Sequence, residues 1–246
     1  FAAYKRKVFA IADGIIANSQ STLSDSKNFM EQEGIDLPLS TVVRIGEDLS
    51  NTQSTKEEGL LKGRVGSGFI LCVGTVEGRK NHASLMYVVK EAKRRNVRIP
   101  KIVVAGRRGW LTEEVLYVIE HDLDARESIV FIESPSDTEL SWLYRNCRFT
   151  VYPSFYEGWG MPIAESLSYG KLCLSSGESS MPEIAGDMID YYSPYDTGEI
   201  LETIIKYLDD TTLAQKEAKI KATYKPTSWS AMYKQIDSFI SSDVGQ

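Results

Sequence analysis

From residue 69 onward, short apolar runs alternate with segments of helical spacing. "FILCVG" (69–74), "KIVVAG" (101–106), "IVFI" (129–132), "FTVYPS" (149–154), "LCLSS" (172–176) and "MIDYY" (188–192) have the length of strands. Between them "HASLMYVVKEAKRR" (82–95), "TEEVLYVIEH" (112–121), "DTELSWLYRNC" (137–147) and "PIAESLSYG" (162–170) repeat apolar positions at helical intervals. Strands that read as continuous apolar runs are buried on both faces, and helices between them make the sheet parallel. Cap signals agree in phase. Ser136 with Glu139, and Ser180 with Glu183, fit capping boxes. Pro162 suits a first helical turn and Gly170 the residue after a last one. The pattern predicts an α/β fold built on a Rossmann-like, doubly wound parallel sheet.

The first 66 residues follow another rhythm. "GIIANS" (14–19) and "TVVRIG" (41–46) predict two strands around a helix at about 21–33, and the polar "EDLSNTQSTKEEG" reads as a linker. So few elements cannot bury a core of their own. The expected division is a remnant of an N-terminal domain over 1–45, a linker over 46–66, a ligand-binding domain over 67–225 and a C-terminal helix over 226–246. "ILETIIKYLDD" and "SAMYKQIDSFI" read as amphipathic terminal helices.

Composition narrows the class. The 246 residues are 42% hydrophobic and 25% charged, as expected of a soluble globular chain. A net charge of -6 argues against nonspecific nucleic-acid binding while leaving room for a local basic site. No apolar run approaches the roughly 20 residues of a membrane span. The opening "FAAYKRKVFAIADG" lacks the features of a signal peptide. Cys72, Cys147 and Cys173 lie in or beside apolar runs without pairing motifs, which predicts reduced, buried thiols and a cytoplasmic protein.

Parallel sheets of this kind bind ligands beyond the carboxyl ends of their strands. Three of those ends carry unusual residues. "TVEGRKN" sets a glycine turn and the cations Arg79 and Lys80 before a helix, which suits a phosphate or diphosphate. A solvated basic turn would have the same letters. "AGRRGW" (105–110), with Arg107 and Arg108, is a weaker instance. In "FYEGWGMPIAE" (155–165), Glu157 falls on a loop at the mouth of the crevice and Glu165 about a turn into the following helix. Two carboxylates so placed can grip hydroxyl pairs of one extended ligand, and the amides of 158–161 can face an anion. Spacing alone does not separate this from a surface glutamate and a helix-stabilising one. "DLD" (122–124) follows a helix and not a strand, and His82 and His121 cannot form a metal cluster with scattered cysteines.

These residues carry a resemblance. "EGWGMPIAE" resembles the E-x7-E signature of the retaining, GT-B-fold glycosyltransferases of family 4, the glycosyl transferases group 1. "VGTVEGRKN" resembles that family's diphosphate segment and "SSMPEIAGD" its S-x-x-P-E segment. "ADGIIANSQST" and "VVRIGEDL" are similar to its last N-domain strand and the start of its interdomain linker. Departures are Trp159 for the usual Phe, Met161 for Leu, Gly78 for Pro, and Thr75 where many members carry an arginine.

The resemblance implies that residues 67–225 bind a nucleoside-diphosphate sugar and that the chain is the C-terminal half of a retaining hexosyltransferase. Glu157, Lys80 and Arg79 would be catalytic, with Glu157 on the sugar hydroxyls and the cations on the diphosphate. Glu165 would hold the ribose. Gly74, Thr75, Gly158, Trp159, Gly160 and Met161 would complete the sugar and phosphate contacts. The base would lie near Phe131–Ser134, with Ile132 and Glu133, held through backbone. The family uses neither metal nor cofactor, and its donors include GDP-mannose, dTDP- and UDP-sugars. The acceptor would be a glycan or lipid-linked saccharide in polysaccharide biosynthesis, with no nucleic-acid partner. Peripheral association with the inner face of a membrane would run through an N-terminal half absent from this chain. Two other readings remain at this stage. One is a noncatalytic sugar-nucleotide-binding module working with a partner chain, and the other a GT-B-type sugar-nucleotide epimerase.

Overall fold

A computed structural model describes residues 2–47, 58–110 and 113–243. Helix α1 (Ala2–Ile11) precedes a βαβ unit of β1 (Gly14–Ala17), α2 (Gln20–Glu33) and β2 (Leu39–Val42), whose strands pair in parallel. Then come α3 (Glu58–Val65), β3 (Ile70–Val73), a 3-10 turn at Gly78–Lys80, α4 (His82–Arg94), β4 (Ile102–Gly106), α5 (Glu113–His121) and α6 (Leu123–Ser128). The chain continues through β5 (Ile129–Glu133), α7 (Asp137–Asn146), β6 (Phe149–Tyr152), α8 (Met161–Ser168), β7 (Cys173–Ser176) and α9 (Met181–Ala185). After a second 3-10 turn at Gly186–Met188 it ends in β8 (Tyr191–Tyr192), α10 (Thr197–Lys206), α11 (Asp210–Thr223) and α12 (Trp229–Asp243).

The large sheet is parallel throughout, in the order β5-β4-β3-β6-β7-β8. Its inner strands β3, β4, β6 and β7 are buried on both faces, as their continuous apolar runs predict. Ile70 and Cys72 of β3, with Ile102 and Val104 of β4, point into one core. Leu71, Val103 and Ala105 alternate with them and point into another, against Trp142 and Leu143 of α7. Strand order runs outward from β3 through β4 and β5, then returns to the other side of β3 with β6. The carboxyl ends of β3 and β6 therefore flank the switch point where such sheets open a ligand crevice.

Several expectations change. Residues 2–11 are helical with no buried side chain, a helix the pattern hid because Lys5-Arg6-Lys7 interrupts the apolar spacing. Inside the stretch read as linker, α3 buries Leu61 and Val65 in the second core, an i,i+4 pair that tertiary packing rewards. Residues 48–57 of that stretch lie outside the described residues. The run "MIDYY" supplies only the two-residue β8, because residues 186–188 turn as 3-10 helix. Helix α11, not expected as a separate element, is capped by Asp209, whose carboxylate accepts the Thr212 N–H at 2.8 Å.

The two proposed capping boxes part company. Ser136 and Glu139 form theirs at α7. Ser180 makes no side-chain cap at α9, since its backbone is helical and its hydroxyl is drawn to the carbonyls of Glu157 and Trp159 at 2.9 and 2.7 Å. Glu183 is then free to cap a different helix, α2, 163 residues earlier in the chain.

Candidate active site

β3 ends in Gly74, whose φ of +151° favours glycine, and the chain turns through Gly78–Lys80 into α4. Asn81 pins that turn. Its left-handed backbone (φ +55°) starts α4, and its Nδ2 donates to the carbonyls of Pro153 at 3.1 Å and Pro194 at 2.9 Å. The basic turn is thereby tied to the loop after β6, where Glu157 sits.

Glu157 does not lie at the mouth of the crevice. It is 6% exposed and holds one cation on each carboxylate oxygen. Lys80 Nζ stands 2.7 Å from one and Arg79 Nη1 2.5 Å from the other. Burial pushes the Glu157 pKa up, but the charge of Lys80 and hydrogen bonds from Lys80 and Arg79 outweigh it, so the group stays below the ordinary carboxylate range. Lys80 also donates to the Tyr152 hydroxyl at 2.6 Å, with its ammonium over the ring at 4.9 Å. Arg79 reaches the Tyr156 carbonyl at 2.7 Å and Glu77 at 2.6 Å. The predicted cations and the first glutamate are thus one cluster. Tyr152, which positions Lys80, had read only as a strand residue.

The loop after Glu157 turns inward. Trp159 is 3% exposed, and its indole N–H donates to Glu47 Oε1 at 3.0 Å, away from the crevice. Glu47, 4% exposed, also accepts the Tyr224 hydroxyl at 2.7 Å and the Thr227 N–H at 3.3 Å. Replacing Trp159 with Phe leaves this buried carboxylate short of one donor and is expected to cost about 1–2 kcal/mol. Chemical denaturation checks this, and a midpoint equal to the parent chain's would show that the indole bond contributes nothing. Gly160 (φ +122°) opens α8, with Pro162 in the first turn as predicted. The N–H groups of Gly158, Trp159, Gly160 and Met161 donate to no acceptor among the described residues. Unpaired amides at and just before a helix start are able to receive an anion.

Glu165 is partly buried on α8. Its carboxylate accepts the Tyr144 hydroxyl at 2.6 Å, and burial raises its pKa above the ordinary range despite that bond. Tyr144 stacks on Tyr169 with centroids 5.1 Å apart, which fixes the carboxylate's orientation. In the sequence Tyr144 had read only as part of the helical stretch 137–147.

A cleft of about 350 Å³ opens at the ends of β3, β4 and β5, lined in part by Gly74, Thr75, Gly106, Arg107, Ser134 and Leu140. Gly74 joins it to the charged cluster, for a β-carbon there would touch the Lys80 side chain at 3.6 Å. Ile132 is buried in the core, so only its backbone faces this end of the sheet. Glu133 points to Arg108 at 3.0 Å. Ser134, at φ +49°, donates its N–H to the Gly106 carbonyl at 2.9 Å.

The remaining candidates have local uses. Asp122 caps α6 and pairs with Lys90 at 2.8 Å, while Asp124 pairs with Lys93 at 2.5 Å. His82 is buried with no hydrogen-bond partner on either ring nitrogen. Burial and the Lys80 charge push its pKa down to about 4, so the ring is neutral at pH 7. Among the described residues no three His, Cys, Asp or Glu side chains group to hold a metal, and no helix is long and apolar enough to cross a membrane.

A six-stranded parallel sheet flanked by helices, with a cationic turn and a buried carboxylate at its switch point, defines an α/β fold of the Rossmann-like class. The chain belongs to the glycosyl transferases group 1, whose family profile matches residues 61–226. It is 34% identical over 166 residues to O-antigen chain mannosyltransferase B of Escherichia coli, which covers 66% of this chain and 42% of that protein. It is 29% identical over 218 residues to the serotype-specific mannosyltransferase WbdA of Escherichia coli, covering 82% of this chain and 25% of the relative. The chain thus spans well under half the length of these two relatives. In fold it is similar to HepE of Anabaena, solved with UDP and glucose, with a TM-score of 0.80 and 18% identity over 98% of this chain and 68% of that one. The expected α/β architecture and family are both borne out.

Proposed function

We propose that this chain supplies the donor half of a retaining, metal-independent glycosyltransferase that moves a hexose from a nucleoside-diphosphate sugar to a growing glycan. The observation that carries the reading is the cluster of Lys80, Arg79 and Glu157 beside the free amides of 158–161, at the switch point and next to the cleft. In this reading the nucleoside occupies the cleft, with its base against the backbone of 131–134 and its ribose on Glu165. The diphosphate lies between Gly74, Thr75, the cations and the free amides, and Glu157 receives sugar hydroxyls. As the glycosidic bond to the diphosphate breaks, negative charge grows on the leaving oxygens. Preorganised cations and N–H dipoles in a dry site stabilise that charge without reorganising. The acceptor attacks from the leaving-group face, and its own site belongs to the N-terminal domain of which residues 1–45 are a part. The names of the relatives favour mannose as the sugar and an O-antigen-type polysaccharide as the product. The UDP and glucose held by HepE keep UDP-sugars in the test set.

Calorimetry with GDP-mannose, UDP-glucose and dTDP-rhamnose tests this directly. Binding of none of them would end the reading. Glu165→Ala should weaken the bound nucleotide about 10- to 100-fold, the worth of hydrogen bonds to a charged acceptor. An unchanged affinity would remove Glu165 from the ribose.

Metal independence follows because Lys80 and Arg79 already supply the positive charge at the phosphates. Chelator is expected to leave nucleotide-sugar affinity unchanged. Loss of binding with chelator and recovery with Mg²⁺ or Mn²⁺ would contradict it.

A further inference from the structure

The segment 179–183 connects two regions that are far apart in the chain. At one end it clamps the loop that carries Glu157. The Glu157 N–H donates to Ser179 Oγ at 2.9 Å, and that hydroxyl returns a bond to the Glu157 carbonyl at 3.0 Å. Ser180, fully buried, holds the carbonyls of Glu157 and Trp159 as described.

At the other end the segment grips the N-terminal βαβ unit. Glu183 accepts the N–H of Gln20 at 2.7 Å on one carboxylate oxygen and that of Ser21 at 2.8 Å on the other. The Glu183 carbonyl accepts Arg44 Nη2 at 2.6 Å. Ser19, the residue before α2, accepts the Thr22 N–H on its hydroxyl at 3.0 Å and the Leu23 N–H on its carbonyl at 3.0 Å, and leaves the two amides before them uncapped. The first two amides of this 14-residue helix therefore depend on a carboxylate from another part of the chain. Helix α2 in turn rests on the same loop, with Thr22 Oγ1 donating to the Gly158 carbonyl at 3.3 Å and Asp25 accepting the Tyr156 hydroxyl.

We propose that Glu183 is a positioning residue: by capping α2 it sets the Glu157 loop, and with it the diphosphate and sugar end of the donor site, against the N-terminal unit. The proposal rests on the donor reading above for what occupies that loop, but not for the tether itself. The nucleoside end stands apart from segment 179–183, since strand ends and Tyr144 build it. Loosening the tether should therefore cost the diphosphate and sugar contacts and spare the nucleoside.

The test uses the 246-residue chain and three substitutions, with guanosine against GDP-mannose and uridine against UDP-glucose as probes. Glu183→Ala is expected to lower affinity for the bound nucleotide sugar by about tenfold, the loss of one charge-assisted contact, with affinity for the matching nucleoside changed less than about twofold. Glu183→Gln keeps one acceptor oxygen and should recover part of the loss. Gln20→Pro attacks the tether from the other side. It deletes the donated N–H at the first helical position, where proline is tolerated, and the extended Ser19 before it (φ -151°, ψ 160°) already suits a following proline.

Amide hydrogen exchange on the same proteins gives a readout that does not depend on any nucleotide. Both Glu183→Ala and Gln20→Pro should speed exchange of the hydrogen-bonded Phe155 and Glu157 amides, on the far side of the tether, while leaving the strands β3 to β5 as slow as before. Unchanged exchange of the Phe155 and Glu157 amides in both variants would overturn the proposal. So would an equal loss of nucleoside and nucleotide-sugar affinity, which marks a general loss of structure. If the parent chain binds none of the four probes, the donor reading fails, and the exchange rates alone decide whether Glu183 positions the loop.

Discussion

Lys80→Ala is expected to destabilise the chain by about 3 kcal/mol at neutral pH, because it strips a buried carboxylate of one of its two counter-charges. The side chains of Lys80 and Glu157 are 13% and 8% exposed, so water cannot replace the lost ammonium. Arg79 remains on the other oxygen, which places the cost at the lower end for a broken buried pair. In a chain of this length, that corresponds to a fall in Tm of about 6–12 °C.

The pH dependence separates charge from packing. Glu157 is a carboxylate whose folded pKa is depressed, so its stabilising contribution is present above the ordinary value of about 4.3 and is lost as pH falls through the folded value. In the variant, burial persists with one cation fewer, so the pKa of Glu157 moves up and acid relieves the strain. The gap in Tm between parent and variant should be widest near pH 7.5 and narrow toward pH 4. An equal gap at both ends would assign the cost to the lysine stem packed on Tyr152. In binding, the same variant should weaken a nucleoside diphosphate about 10- to 100-fold and leave the bare nucleoside unaffected. Equal weakening of both would move Lys80 away from the phosphates.

Gly106→Ala is the second large effect. A β-carbon at Gly106 would fall 2.0 Å from the Gly74 carbonyl oxygen and 2.6 Å from its carbon. These are backbone atoms of the neighbouring strand end, which no rotamer change can clear. Gly74 also donates its N–H to Ala105 O at 3.0 Å, so the two strand ends would have to part along the wall of the cleft. The expected cost is about 3 kcal/mol, the upper part of the range for overpacking, with loss of nucleoside affinity. Gly78→Ala serves as the control, because a β-carbon there meets nothing within 4 Å. Equal stability of the two variants would show that the close approach at Gly106 does not constrain the site.

What was legible in the sequence divides by the range of the interactions involved. The inner strands between Ile70 and Ser176 were readable because both faces are buried, which leaves an unbroken apolar run in the letters themselves. The two glutamates, Lys80 and the glycines around Trp159 were readable because their spacing is local and their chemistry is carried by residue type. Their partners were not. Ser180 and Glu183 have the same spacing as Ser136 and Glu139, yet only the second pair forms a box, since the Glu157 loop outbids the local amide for the Ser180 hydroxyl. Glu47 looked like the first residue of a polar linker. It is buried because Trp159, Tyr224 and Thr227, from two other regions of the chain, converge on it. Such positions depend on which surfaces meet, and no window of sequence contains both sides.

The strand order also orders assembly. β3 sits between β4, its successor in the chain, and β6, whose Phe149 pairs with the same Ile70 that faces Ile102 on the other side. Contacts among β3, β4 and β5 close over shorter stretches of chain and cost less loop entropy than the return of β6 to β3. The half-sheet carrying Lys80 can therefore form from contiguous chain, whereas Glu157 arrives only with the later half. Their ion pair is made when the two halves join, so the charged centre of the crevice comes into being as the last seam of the sheet closes.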